Sequence, residues 1–184
     1  SSGFIYDSEG ITVEKLNYLK KLKNEKRGRI KDYATKFGCD YHEAEKPWGV
    51  VCDIALPCAT QNELDEEAAT RLVKNGIKCV VEGANMPTTP EAIEVFTANE
   101  ILFSPGKASN AGGVATSGLE MSQNSMRVNW TRDEVDLRLK GIMTDIHGTC
   151  VEYGKIGSYT NYVKGANIGG FIKVANAMIA QGHV

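Results

Sequence analysis

Apolar positions along this chain change their period several times, and the changes mark out its elements. Val13, Leu16, Leu19 and Leu22 recur at every third residue behind Thr12, with lysines between them, which predicts an amphipathic helix opened by a Thr cap. Residues 1 to 10 read as the exit from a strand followed by a turn, and Arg29 to Phe37 as a second short helix stopped by Gly38. The polar stretch 39–49, with Pro47, reads as loop. Val50 to Leu56 is then expected to be a buried strand ending at Pro57.

The next helix has the clearest pattern. Leu64, Ala68, Ala69, Leu72 and Val73 make one stripe. Glu63, Asp65, Glu66 and Glu67 lie toward its start, where the helix dipole favours negative charge, and Gly76 closes it. Ile77 to Val81 predicts a second strand, Pro90 to Ala98 a helix begun by proline, and Ile101 to Phe103 a third strand. After Ser104 the pattern loosens. Gly106, Gly112, Gly113 and Gly118 read as a glycine-interrupted loop before Met121 to Trp130. Thr131 and Glu134 form a capping box, and Val135, Leu139, Ile142, Met143, Ile146 and Cys150 follow at helical spacing. A last helix carries Val174, Ala175, Met178 and Ile179 and ends at Gly182.

Alternating strands and helices define an α/β fold with a Rossmann-like parallel sheet and right-handed crossovers, followed by C-terminal helices. The expected organisation is a strand-and-helix domain over 1–105 and a helical segment over 106–184. The N-terminus carries no initiator Met and already reads as mid-fold, so the chain is expected to be a piece of something longer.

Composition narrows the class. The chain has 184 residues, 42% of them hydrophobic and 24% charged, which suits a globular domain with a real core. A net charge of −2 is too balanced for a dedicated nucleic-acid binder. No apolar run approaches the ~20 residues that cross a bilayer, so no membrane partner is expected. Five cysteines without a C-x-x-C pair point to a reducing, cytoplasmic setting, and three scattered histidines offer no metal-ligand spacing.

Ligands of open parallel sheets sit beyond the carboxyl ends of the strands. Three segments fall there: Pro57 to Asn62, Glu82 to Pro87, and Ser104 to Gly118. They are rich in small residues and carboxamides and contain no His, which suits hydrogen bonding to a neutral planar ligand and its ribose; ordinary tight turns would read the same way. No G-x-G-x-x-G or P-loop motif occurs. Cys58 stands before a helix start but has no partner nearby in sequence that would make it a nucleophile. Lys20, Lys21, Lys23, Lys26, Arg27 and Arg29 form a basic cluster, either a solvated face or an anion site.

Three longer motifs are distinctive: Ile54 to Leu64 (IALPCATQNEL), Glu82 to Thr89 (EGANMPTT) and Ser109 to Asn124 (SNAGGVATSGLEMSQN). With Asn161 to Ile168 (NYVKGANI), they resemble the hexameric bacterial glutamate dehydrogenases of the glutamate/leucine/phenylalanine/valine dehydrogenase family, over essentially the whole chain. The resemblance implies the C-terminal part of such an enzyme: a truncated, Rossmann-like dinucleotide-binding domain over 1–105, lacking its first strand–helix unit, and helices over 106–184 that bridge back to the substrate domain. The family's catalytic lysine, catalytic aspartate and glycine-rich turn would lie upstream, so no catalytic residue is assigned here and the 184 residues alone are expected to be inactive. It implies cofactor contacts at Ala59, Thr60, Gln61, Asn85 and Asn110. It places Ser117 at the substrate's side-chain carboxylate and Val114 on its methylenes. Ser1, Lys23 and Arg29 match positions that contact the 2′-phosphate, which implies NADP as cofactor. The implied partners are glutamate or 2-oxoglutarate, ammonia and further copies of the subunit in a hexamer. Rival readings are a dehydrogenase of apolar amino acids, which Ser117 disfavours, and a non-catalytic nucleotide-fold module.

Overall fold

The computed structural model describes residues 3–182. The chain divides into two compact units, residues 1–49 and 50–184. The expected boundary at 105/106 falls inside the second unit.

The first unit contains β1 (Gly3–Tyr6), α1 (Val13–Asn24), α2 (Ile30–Phe37), β2 (Asp40–Glu43) and a 3-10 turn at Pro47–Gly49. Thr12 caps α1, its hydroxyl accepting from Lys15 N at 3.3 Å. α2 ends at Gly38, whose φ of 68° is the left-handed conformation that favours glycine. The predicted loop 39–49 is corrected here, because residues 40–43 pair antiparallel with β1. Asp40-Tyr41-His42-Glu43 has no apolar alternation to announce a strand. It is held by its ladder and by His42 stacked on Phe4, ring centroids 4.4 Å apart.

Tyr33 is fully buried in this unit, beside Phe37 and Tyr18. Its hydroxyl donates to Asp7 Oδ2 at 2.6 Å, and Lys15 Nζ reaches the same oxygen at 2.8 Å. The Lys15 and Tyr33 bonds hold the Asp7 carboxyl below its ordinary value, while burial and Asp7 push the Tyr33 hydroxyl up, so it remains a donor. A depressed folded-state value means stability that is present above the unfolded value of 3.8 and lost as pH falls through the folded one. The melting-temperature gap between the native protein and Asp7→Asn should therefore be widest above about pH 5 and close at lower pH. A gap constant with pH would exclude this role.

The second unit runs β3 (Ile54–Ala55), α3 (Glu66–Lys74), β4 (Cys79–Val81), α4 (Pro90–Ala98), β5 (Leu102–Ser104), α5 (Gly106–Ser109), α6 (Ala111–Met126), α7 (Arg132–Gly154), β6 (Lys155–Ile156), β7 (Tyr159–Thr160) and α8 (Tyr162–Gln181). The parallel sheet has the order β3-β4-β5, in register Ala55↔Val80↔Phe103. Val80 on the central strand is fully buried, and Ala68, Ala69 and Leu72 of α3 and Ala92 and Phe96 of α4 complete the core. Phe96 stacks on Phe103 at 5.7 Å.

Several expectations change in this unit. The strand predicted over Val50 to Leu56 is ladder-paired only at Ile54–Ala55, and Val51, Ile54 and Leu56 are exposed. Among the described residues β3 pairs with β4 alone, so an apolar run that reads as buried forms a sheet edge. Asp65 rather than Leu64 opens α3, accepting from Ala68 N at 2.9 Å, while Leu64 makes a bridge to Thr88. The glycine-interrupted segment after Gly106 is helical, as α5 and α6. Interior glycine costs a helix roughly 1 kcal/mol against alanine, a local preference that tertiary context overrides. The capping box stands as predicted: Thr131 N donates to Glu134 Oε2 at 2.7 Å and Glu134 N to Thr131 Oγ1 at 3.3 Å. Between α7 and α8 lies the small β6–β7 hairpin, absent from the all-helical expectation. Among the described residues no helix is long and apolar enough to cross a membrane.

Candidate functional site

The three turns at the carboxyl ends of β3, β4 and β5 are tied to one another by backbone bonds. Gly83 N donates to Pro57 O at 2.9 Å, Asn62 N to Met86 O at 3.0 Å, and Glu82 N to Ser104 O at 3.1 Å. These bonds follow from the parallel register, which brings each strand end beside the next. Asn62, Asn85 and Asn110 on these turns are exposed.

Above the joined turns lies a cavity of about 460 Å³. Asn62, Asn85, Asn110, Glu82, Thr88 and Lys107 supply its polar groups, and Met86, Ile93 and Val163 its apolar wall. Asn85 and Asn110, far apart in sequence, thus share one cavity. Asn110 closes α5 and opens α6, a junction that holds it at the cavity. Ala59, Thr60 and Gln61 lie exposed on the adjoining turn and do not line it. That turn is closed by Ala59 N donating to Glu63 Oε1 at 2.9 Å. Val114 and Ser117 are exposed on α6, four and seven residues beyond Asn110, so all three fall on one helix stripe.

Sequence reasoning overlooked two groups in this cavity. Glu82 and Thr88 are each only 4% exposed. The Thr88 hydroxyl is the one buried side-chain polar atom without a partner among the described residues. The available signal was a carboxylate directly after the apolar run Cys79-Val80-Val81, where a buried charge requires built-in partners.

The first unit holds a second cavity, of about 450 Å³, lined by Gly3, Leu19, Lys20, Lys23, Asn24, Arg29 and Ile30. Lys23 and Arg29 therefore converge, with Lys20 as a third cation, and among the described residues no acidic side chain lines the space. Ser1 lies outside the described residues. Burial pushes the thiols of Cys39, Cys52, Cys79 and Cys150 up, away from the thiolate form. Among the described residues no cluster of His, Cys, Asp or Glu could hold a metal.

A parallel sheet whose carboxyl-end turns frame a carboxamide-lined cavity places the chain among the open α/β proteins, whose ligands bind at that end of the sheet. The profile of the glutamate/leucine/phenylalanine/valine dehydrogenases matches residues 1–182, and the chain belongs to that family. It is 61% identical over 184 residues to an NADP-specific glutamate dehydrogenase of Haemophilus influenzae, covering 99% of this chain and 41% of that protein. An NAD(P)-specific glutamate dehydrogenase of Xylanibacter ruminicola is also 61% identical, over 183 residues, covering 99% of this chain and 41% of that protein. Among solved structures, Plasmodium falciparum glutamate dehydrogenase 2 superposes with a TM-score of 0.92 at 48% identity, covering all of this chain and 41% of that one. The chain thus spans about two-fifths of the length of the relatives it matches.

Proposed function

We propose that this chain serves an NADP-dependent glutamate dehydrogenase, in which hydride passes between the nicotinamide and the substrate α-carbon in the reversible conversion of L-glutamate to 2-oxoglutarate and ammonia. The observation that carries this reading is the meeting of Asn85 and Asn110 in one cavity at the carboxyl end of a parallel sheet. Residues 1–105 serve nucleotide binding, and 106–184 form the helices that return toward the substrate. Asn85 and Asn110 offer donors and acceptors to the nicotinamide and its ribose, with Ala59, Thr60 and Gln61 on the neighbouring turn. Lys23 and Arg29, with Ser1, read the 2′-phosphate, and their convergence supports NADP over NAD. The cofactor, when bound, would donate a hydride as NADPH or accept one as NADP+; the chain's own residues orient its ring and exclude water from the reacting faces. The working protein is a cytoplasmic hexamer.

Substrate choice is assigned to α6. Ser117 donates to the side-chain carboxylate of a dicarboxylic substrate and Val114 packs on its methylenes. A hydrogen bond to a charged acceptor contributes about 1.5–3 kcal/mol, so Ser117→Ala in the full-length protein that carries these residues should raise the KM for 2-oxoglutarate roughly 10- to 150-fold. The KM for an apolar 2-oxo acid should not rise in parallel. If both substrates respond alike, or neither does, the α6 assignment falls.

A further inference from the structure

Glu82 occupies an unusual position. It follows the last residue of β4, is nearly fully buried, and sends its carboxylate oxygens to two different pieces of backbone. Oε1 accepts from Thr88 N at 3.2 Å, and Oε2 accepts from the Gly106 N–H. The first bond closes residues 82–88 into a ring that contains Asn85. The second holds the start of α5, whose Gly106 carbonyl accepts from Asn110 N at 2.8 Å. A third tie runs through the main chain, with Ser109 Oγ donating to the Glu82 carbonyl at 2.6 Å. Gly106 leaves no slack in this arrangement, since a Cβ there would lie 2.7 Å from the Ala84 carbonyl oxygen and 3.1 Å from Glu82 Oε2.

We infer that Glu82 is a positioning residue for the reaction: its buried carboxylate sets the turn carrying Asn85 and the helix start carrying Asn110 in fixed relation across the cavity. This rests on the reading that those carboxamides meet the cofactor. Both bonded partners are N–H donors, and a carboxylate is the side chain that presents two acceptors and no donor. Glutamine has nearly the same shape but turns an amide N–H₂ toward one of the two N–H groups, which loses that bond and leaves the donor unpaired. The carboxamides would then be displaced while the core stayed intact, and displacement at the reacting centre acts on kcat more than on substrate binding.

In the full-length protein, Glu82→Gln should lower kcat for NADPH-dependent glutamate formation at least ~10-fold and change the KM for 2-oxoglutarate by less than ~3-fold. Leu72→Ala, in the core of α3, controls for stability; it should lower the melting temperature while leaving kcat within about twofold. Because Glu82 acts through Asn110, the Glu82→Gln/Asn110→Ala pair should lose less than the product of the two single losses. Should Glu82→Gln fail to fold, Ser109→Ala removes the short tie to the Glu82 carbonyl, together with the longer contacts of the same hydroxyl to the Ser104 and Pro105 carbonyls, and should still reduce kcat by ~3-fold or more. A kcat unchanged in whichever variant folds, or single losses that multiply in the double variant, overturns the inference. If the unsubstituted protein forms no glutamate, the functional reading itself has failed. The clamp is then read by amide exchange in Glu82→Gln: ~10-fold faster exchange at Thr88 and Gly106 supports it, and unchanged rates refute it.

Discussion

Lys23→Glu combined with Arg29→Glu is expected to abolish the preference for NADP over NAD. Both side chains line the cavity of the first unit with Lys20, and neither takes part in an ion pair among the described residues. Three cations without a lining carboxylate create a local positive field that a phosphate dianion would relieve, whereas the free 2′-hydroxyl of NAD offers it no charge. Each charge-assisted bond contributes about 1.5–3 kcal/mol, so losing two lowers the ratio of kcat/KM values for the two cofactors by roughly 10²–10⁴. Inverting the charges adds repulsion that simple truncation would not. The effect should lie almost wholly in NADP, leaving the NAD value little changed. If both cofactors weaken together, the cluster supports folding rather than discrimination. An unchanged ratio would make it a solvated face.

The largest structural effect is expected from Gly165→Ala on α8. Gly165 is buried, and an added Cβ would overlap the Cys150 carbonyl oxygen of α7 and stand 2.8 and 2.9 Å from the carbonyl carbon and Cα of the same residue. These are backbone atoms, which cannot rotate away, so the two longest helices of the chain would have to separate. Overpacking ordinarily costs 1–3 kcal/mol, and with rigid neighbours the figure should reach about 3 kcal/mol or more. Gly170→Ala, five residues on, meets nothing within 4 Å. There the gain in helix propensity should stabilise by up to ~1 kcal/mol. Denaturant unfolding of the two variants separates the cases: opposite signs follow from this packing, and equal effects would contradict it.

These two glycines also show what could be read in the chain and what could not. The glycines after Gly106 read as a loop, and the segment is helical instead. The close approach that Gly165 permits depends on a partner helix, which local pattern does not reveal. Elements with chemical punctuation were legible almost to the residue. Pro90 opened α4, Thr131 and Glu134 opened α7, and Gly38 ended α2. Elements stabilised from outside were hidden. β2 exists because β1 pairs with it, and the apolar run Val50 to Leu56 lies largely unpaired because only a short part of it has a neighbour. The site divides in the same way. Asn85 and Asn110 lay in turns rich in small residues and carboxamides and were singled out by the family resemblance, while Lys23 and Arg29 stood in a basic cluster. Glu82 and Thr88 did not stand out, because their significance lies in burial, and burial is a property of the assembled turns.

The most direct test of the account is the initial rate of NADPH oxidation by the full-length protein in the presence of 2-oxoglutarate and ammonium, compared with that of its Asn85→Ala/Asn110→Ala variant. The expected result is oxidation that requires both substrates, yields one L-glutamate per NADPH consumed, and falls by about 100-fold or more in the variant. Oxidation that does not depend on 2-oxoglutarate and ammonium, or a variant as fast as the unsubstituted protein, would contradict the claim that these turns present the nicotinamide for hydride transfer.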